Sequence, residues 1–136
     1  MAVKILTAIA FMLSTAVQAG DISVITNPSS EFEKINIPDL RRLYLGRATE
    51  SVPNDLHPVD LPEGSPIRNS FYKKVIRRSP EQMQRYWARA FFMGTANPPR
   101  TVYDEKEMKQ VVSHDPAVGY ISSGKVDESV KELVVE

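Results

Sequence analysis

The sequence predicts an α/β domain built on a short, partly parallel mixed sheet flanked by about four helices. Three observations carry that expectation. Asp21-Ile22-Ser23-Val24-Ile25-Thr26 alternates apolar and polar residues and is rich in β-branched side chains, and so reads as a strand. Val59 to Phe71 reads as the end of a strand, a tight turn and the first turns of a helix. Val118-Gly119-Tyr120-Ile121 reads as a buried strand, and helical patterns separate it from the other two. There is no internal repeat and no low-complexity tract, and nothing divides so short a chain in two.

The chain opens with an export signal. Lys4 supplies the positive charge, Ile5 to Val17 is an apolar run broken only by Thr and Ser, and Val17-Gln18-Ala19 offers a cleavage site before Gly20. The run is about 13 residues, short of the roughly 20 that span a bilayer. Residues 1–19 are therefore expected to be a signal peptide and residues 20–136 a single domain in the periplasm, with no integral membrane segment after cleavage; an uncleaved anchor is the alternative. No cysteine stands at the cleavage point to take a lipid.

Asn27-Pro28-Ser29-Ser30 ends the first strand. A helix is expected from about Pro38 to Leu45, with Leu40, Leu43 and Tyr44 on one face and Gly46 free to close it at positive φ. Arg47 to Leu56 is polar and turn-rich and reads as loop. His57 to Leu61 is a short strand whose bracketing prolines suggest an edge or a brief pairing. Pro62 and Gly64 make the turn, Ser65 suits the N-cap and Pro66 the first helical position of a helix running to about Arg77. Ile67, Phe71 and Val75 recur every four residues and define its buried face.

Ser79-Pro80-Glu81-Gln82 starts the next helix, with Gln82 at capping-box offset. Met83, Trp87, Ala90 and Phe91 form its apolar stripe, so Trp87, Phe91 and Phe92 are expected in the core. Gly94 and Pro98-Pro99 stop it. Asp104 and Glu107 open a further helix with Met108, Val111 and Val112 facing inward. Asp115-Pro116 breaks it. Ser122-Ser123-Gly124 is a turn, and Val130 to Val135 is a last strand.

Lys and Arg number 17, as do Asp and Glu. The leader carries only Lys4, so the 117 residues after it hold 16 basic and 17 acidic side chains. That balance gives no pull towards nucleic acid or acidic membranes. With no cysteine, disulfides and thiolate metal sites are excluded. The carboxylates show no metal pattern, and there is no Walker loop or G-x-G-x-x-G, so neither metal nor cofactor is expected. His57 and His114 are the only histidines, and neither lies in a nucleophile motif. An enzyme is not expected, unless the fold brought His57, Asp60 and a serine together in a pocket.

Two stretches offer a binding role. Ser65, the amides behind it and Arg68 have the makings of an anion site at a helix start; equally, Ser-Pro merely starts a helix and Arg68 is a solvated charge. Lys73, Lys74, Arg77 and Arg78 complement a helix dipole or form a docking patch for an acidic partner or a membrane surface.

Read together, Leu40-Arg41-Arg42-Leu43-Tyr44-Leu45-Gly46-Arg47, Glu63-Gly64-Ser65-Pro66-Ile67-Arg68 with Phe71, and Val111-Val112 through Pro116-Ala117-Val118-Gly119-Tyr120-Ile121 resemble the type 2 periplasmic binding proteins. They are similar to the phosphate-binding component of ABC transporters, and in particular to its small single-lobe members. The resemblance implies a single periplasmic-binding-protein-like lobe and a phosphate or other oxyanion ligand. It makes Ser65 the helix-start hydroxyl ligand, Ile67 and Arg68 amide donors, and Arg68 the charge partner. Ser29 and Ser30 are similar to a second serine-bearing turn. Pro66 gives up one amide. A single lobe cannot close a cleft around phosphate, so the resemblance also allows a protein-interaction module that keeps the lobe without the ligand, its partner a transporter or sensor component.

Overall fold

A computed structural model describes residues 21–47 and 49–136; the signal-peptide expectation for residues 1–19 lies outside them. Five strands form the main sheet in the order β4-β3-β5-β1-β6. Its central members are β1 (Ile22–Thr26), β3 (His57–Asp60) and β5 (Ala117–Ser122). Strand β5 pairs antiparallel with β1 and parallel with β3, while β4 (Arg100–Thr101) runs parallel to β3 and β6 (Lys131–Glu132) antiparallel to β1. The mixed sheet is as the sequence predicts. A second, two-stranded parallel sheet joins β2 (Lys34–Ile35) to β7 (Val134–Val135).

Adjacent residues of β5 point to opposite faces. Gly119 faces helix α4 (Glu105–His114), where an added Cβ would stand 2.5 Å from Met108 Sδ and 3.0 Å from Val112 Cγ2. Only glycine lets that helix lie so close. Tyr120 faces the other way, onto helices α1 (Ile37–Tyr44) and α2 (Pro66–Phe71). There its ring stacks on Phe71 at 4.0 Å between centroids and lies 6.0 Å from Tyr44. The sheet is thus covered on both faces, and Leu40, Tyr44, Phe71, Met108, Val112 and Tyr120 are fully buried.

Four expectations need correction. The helix predicted to run to Arg77 is α-helical only to Phe71; Tyr72–Ile76 is a π turn that Arg77 ends at φ 57°. That widening keeps Tyr72, Val75 and Ile76 all buried, and the Arg41 Nε–H donates to the Val75 carbonyl at 2.9 Å. Strand β3 is interior, though its pairing is brief as the prolines suggest. The final strand is two pieces, because Leu133 donates back to the Val24 carbonyl and Val134 turns to the Glu33 carbonyl. Finally, Phe91 and Phe92 on α3 (Pro80–Met93) are 80% and 86% exposed. Met83 and Ala90 bury, Tyr86 and Trp87 half-bury, and beyond Ala90 the helix outruns the body.

Helix α4 is tied to the end of β5 by Glu105. Its carboxylate accepts from the Ser122 N–H and from the Ser122 hydroxyl at 2.7 Å, and it meets Lys125 Nζ at 2.6 Å. Burial disfavours its charge, but Lys125 and the two Ser122 donors outweigh burial and hold its pKa below the ordinary glutamate value. A carboxylate with a lowered folded-state pKa adds stability that is present above the unfolded value and lost as pH falls through the folded one. Glu105→Gln is therefore expected to cost about 1–2 kcal/mol at pH 7. The deficit relative to wild type should shrink below about pH 4. Urea melts of both proteins at pH 7 and pH 3 measure it, and a deficit that does not change with pH would refute the assignment.

Candidate functional site

Strands β3 and β5 are parallel and in register from His57↔Ala117, so their carboxyl ends, Asp60 and Ser122, lie at one end of the sheet. The Val59-Asp60-Leu61 run has apolar neighbours on both sides of one carboxylate, and all three residues are buried. Asp60 is only 3% exposed, and an isolated charge there would be costly. It is met from four directions. The Leu61 N–H donates to Oδ1 at 2.9 Å, the Tyr120 hydroxyl donates to Oδ1, and the Tyr72 hydroxyl donates to Oδ2. Arg68 Nε stands 3.5 Å from Oδ1.

The Arg68 side chain folds back along α2 to reach this point. Its guanidinium carbon sits 4.3 Å from the Tyr72 ring centroid, and the side chain is 19% exposed. Burial opposes its charge, but Asp60 foremost, then Tyr72, outweigh burial and raise its pKa. The same carboxylate acts on the three tyrosines. Burial first and the Asp60 charge second push the Tyr44, Tyr72 and Tyr120 hydroxyls well above the ordinary tyrosine value. All three therefore remain donors, Tyr44 to the Val59 carbonyl at 2.7 Å. A carboxylate, two donating hydroxyls and one guanidinium form a buried ionic network, in which Arg68 Nε faces Asp60 without a hydrogen bond.

Ser65 caps α2 as the sequence predicts: its Oγ accepts from the Arg68 N–H at 3.5 Å, and its carbonyl from the Asn69 N–H at 2.9 Å. Pro66 has no N–H, which leaves Ile67 as the helix-start amide without an acceptor among the described residues. The structure thus brings Ser65, Ile67 and Arg68 together, with exposed Glu63 beside them. It does not bring Ser29 and Ser30 to them. Because β1 is antiparallel to β5, Thr26 pairs with Val118 and the loop after it lies at the His57 end, opposite Asp60. There Ser29 donates through N–H and hydroxyl to Asn27 Oδ1, and the Ser30 hydroxyl accepts from the Phe32 N–H.

His57 is exposed at the far end of β3 from Asp60, and His114 Nδ1 lies against the Gln110 carbonyl at 2.8 Å. The fold therefore does not assemble His57, Asp60 and a serine. Among the described residues no group of three or more His, Asp or Glu side chains is placed to hold a metal ion, and no helix is long and apolar enough to cross a membrane. Asp60, which the sequence offers only as a conditional catalytic partner of His57, is instead the centre of the buried network. Its signal was an acid inside an apolar strand, which must find partners when buried.

No protein-family model matches the sequence, and no curated protein does. Solved structures do match in fold. An ABC-type phosphate transport receptor from Vibrio cholerae superposes with a TM-score of 0.67 at 22% identity, over 85% of this chain and 46% of its own. A phosphate ABC transporter substrate-binding protein with bound phosphate, from Clostridium perfringens, gives 0.65 at 20% identity over 85% and 44%. PstS from Borrelia burgdorferi gives 0.63 at 15% over 85% and 47%. The chain shares the fold of one part of these structures and spans less than half of their length.

Proposed function

We propose that this chain is an exported, periplasmic lobe of the solute-binding type that acts by docking to a protein, such as a transporter or sensor component, rather than by closing on a solute. The observation that carries this reading is the pairing of Arg68 with buried Asp60. The guanidinium that would hold an oxyanion is already neutralised inside the domain, and a buried pair of this kind is not given up without a large loss. The length of the chain agrees, since one wall leaves an anion in water, where each charge contact is worth only about 1 kcal/mol. Export rests on the leader pattern of Lys4 to Ala19. The reading is not enzymatic, because the Asp60 network holds no serine, threonine or cysteine nucleophile beside a base.

A second reading is favoured by one observation: the Arg68 Nε is buried with no hydrogen bond, and the Ile67 amide beside it is free. Together with Ser65 they would contact phosphate or another oxyanion shallowly, as the phosphate-bound neighbour suggests for this lobe. Calorimetry with inorganic phosphate separates the two. Docking alone predicts no saturable heat below about 1 mM. The oxyanion reading predicts saturable heat at millimolar phosphate that Arg68→Ala abolishes. Micromolar binding would overturn the docking reading.

A further inference from the structure

We propose that the outer face of α3 around Arg47, Arg78 and Arg89, with the Phe91-Phe92-Met93 tip, docks an acidic protein segment carrying a large apolar side chain. The proposal rests on the docking reading above and names its surface and the chemistry of its partner.

Tyr86 organises the face. Its hydroxyl donates to the Leu45 carbonyl at the end of α1, which fixes the ring, and two guanidiniums lie against that ring. Arg47 Cζ is 5.6 Å and Arg78 Cζ 5.0 Å from its centroid. Both line a recess of about 570 Å³ together with Arg89 and Met93. Lys34, Arg68, Arg100, Lys109, Lys125 and Lys131 each meet a carboxylate. Arg47, Arg78 and Arg89 have none among the described residues. Three like charges held around one recess repel each other until an anion enters it.

The apolar part adjoins the charges. Phe91, Phe92 and Met93 are 80%, 86% and 62% exposed, and the two phenyl rings stand edge-on to each other at 6.1 Å between centroids. Large apolar side chains beside arginines are the composition of an interface anchor. A shaped recess with a fixed aromatic wall selects a side chain of defined position, which a protein segment offers and a fluid lipid surface does not. The groove on the other flank of α3 is also basic, lined by Lys73, Arg77 and Arg78, but it carries Glu63, its Arg68 already serves Asp60, and the exposed Met93 lines the Tyr86 recess instead.

The test uses the chain with a fluorescein-labelled peptide of alternating Glu and Leu, its Gln-Leu counterpart, and phosphatidylglycerol vesicles. The acidic peptide is expected to bind at least about tenfold more tightly than the neutral one, and less tightly as salt rises. Arg78→Glu with Arg89→Glu, and separately Phe91→Ser with Phe92→Ser, should each weaken binding about tenfold or more. Arg89, Phe91 and Phe92 are exposed on α3, Arg78 is partly exposed just before its N-cap Ser79, and circular dichroism checks that the variants fold. If the acidic peptide binds but is unaffected by these changes and lost on Lys73→Glu with Arg77→Glu, docking stands and this face is overturned. If no peptide binds at 1 mM, both are overturned. Co-sedimentation with the vesicles without peptide binding would assign the face to lipid instead.

Discussion

Replacing Asp60 with alanine is expected to cost about 3–5 kcal/mol of stability, the range for removing one partner of a buried ionic network. The loss has identifiable sources. The Tyr72 and Tyr120 hydroxyls lose the acceptor they share, and the Leu61 N–H loses its closest one. Arg68 keeps a largely buried charge with nothing opposite it. Asp60→Asn keeps the shape and one carbonyl oxygen, so its expected loss is smaller, about 1–3 kcal/mol. Urea unfolding followed by circular dichroism measures both, and a loss under about 1 kcal/mol for the alanine variant would show that the network contributes little.

Phe71→Ala should cost about 3–5 kcal/mol as well, for a different reason. Its ring is wholly buried, stacked on Tyr120 at 4.0 Å and set edge-on to Tyr44 at 4.8 Å, with no polar atom involved. Removing it opens a cavity between α1, α2 and the sheet at the point where α2 passes into the π turn. The matching change on α3, Phe92→Ala, should stay within about 0.5 kcal/mol, because an exposed ring has little to lose. A comparable loss for both would mean that Phe92 is covered in solution.

Those contrasts also mark what was legible in the sequence. Strands β1 and β5, the Ser79–Gln82 capping box and the Asp104 cap follow local rules of period and capping, and they form as read. Strands β2 and β4 are two residues each, too short for any periodicity to register. The stripe along α3 gave the right face for Met83 and Ala90. Periodicity fixes a direction around a helix axis, however, and not how far along it the body extends. That is why Phe91 and Phe92 were expected inside.

The candidate site divides along the same line. Ser65 as N-cap and Arg68 beside it are local features, readable from Gly64-Ser65-Pro66. The commitment of Arg68 to Asp60 is not local. It needs Tyr72, 12 residues from Asp60, and Tyr120, 60 residues away, to arrive at one carboxylate. The parallel pairing of β3 with β5 brings Tyr120 there, and the turn into α2 brings Tyr72. The antiparallel pairing of β1 with β5 sends Ser29 and Ser30 to the opposite end of the sheet.

The central claim is that Arg68 serves Asp60 and not a solute, and a double-mutant cycle tests it most directly. Unfolding free energies of wild type, Asp60→Ala, Arg68→Ala and the double variant give the coupling between the two side chains. A favourable coupling of about 1–2 kcal/mol is expected. Losses that add to within about 0.5 kcal/mol would show two independent residues and return Arg68 to the pool of charges free to meet a ligand.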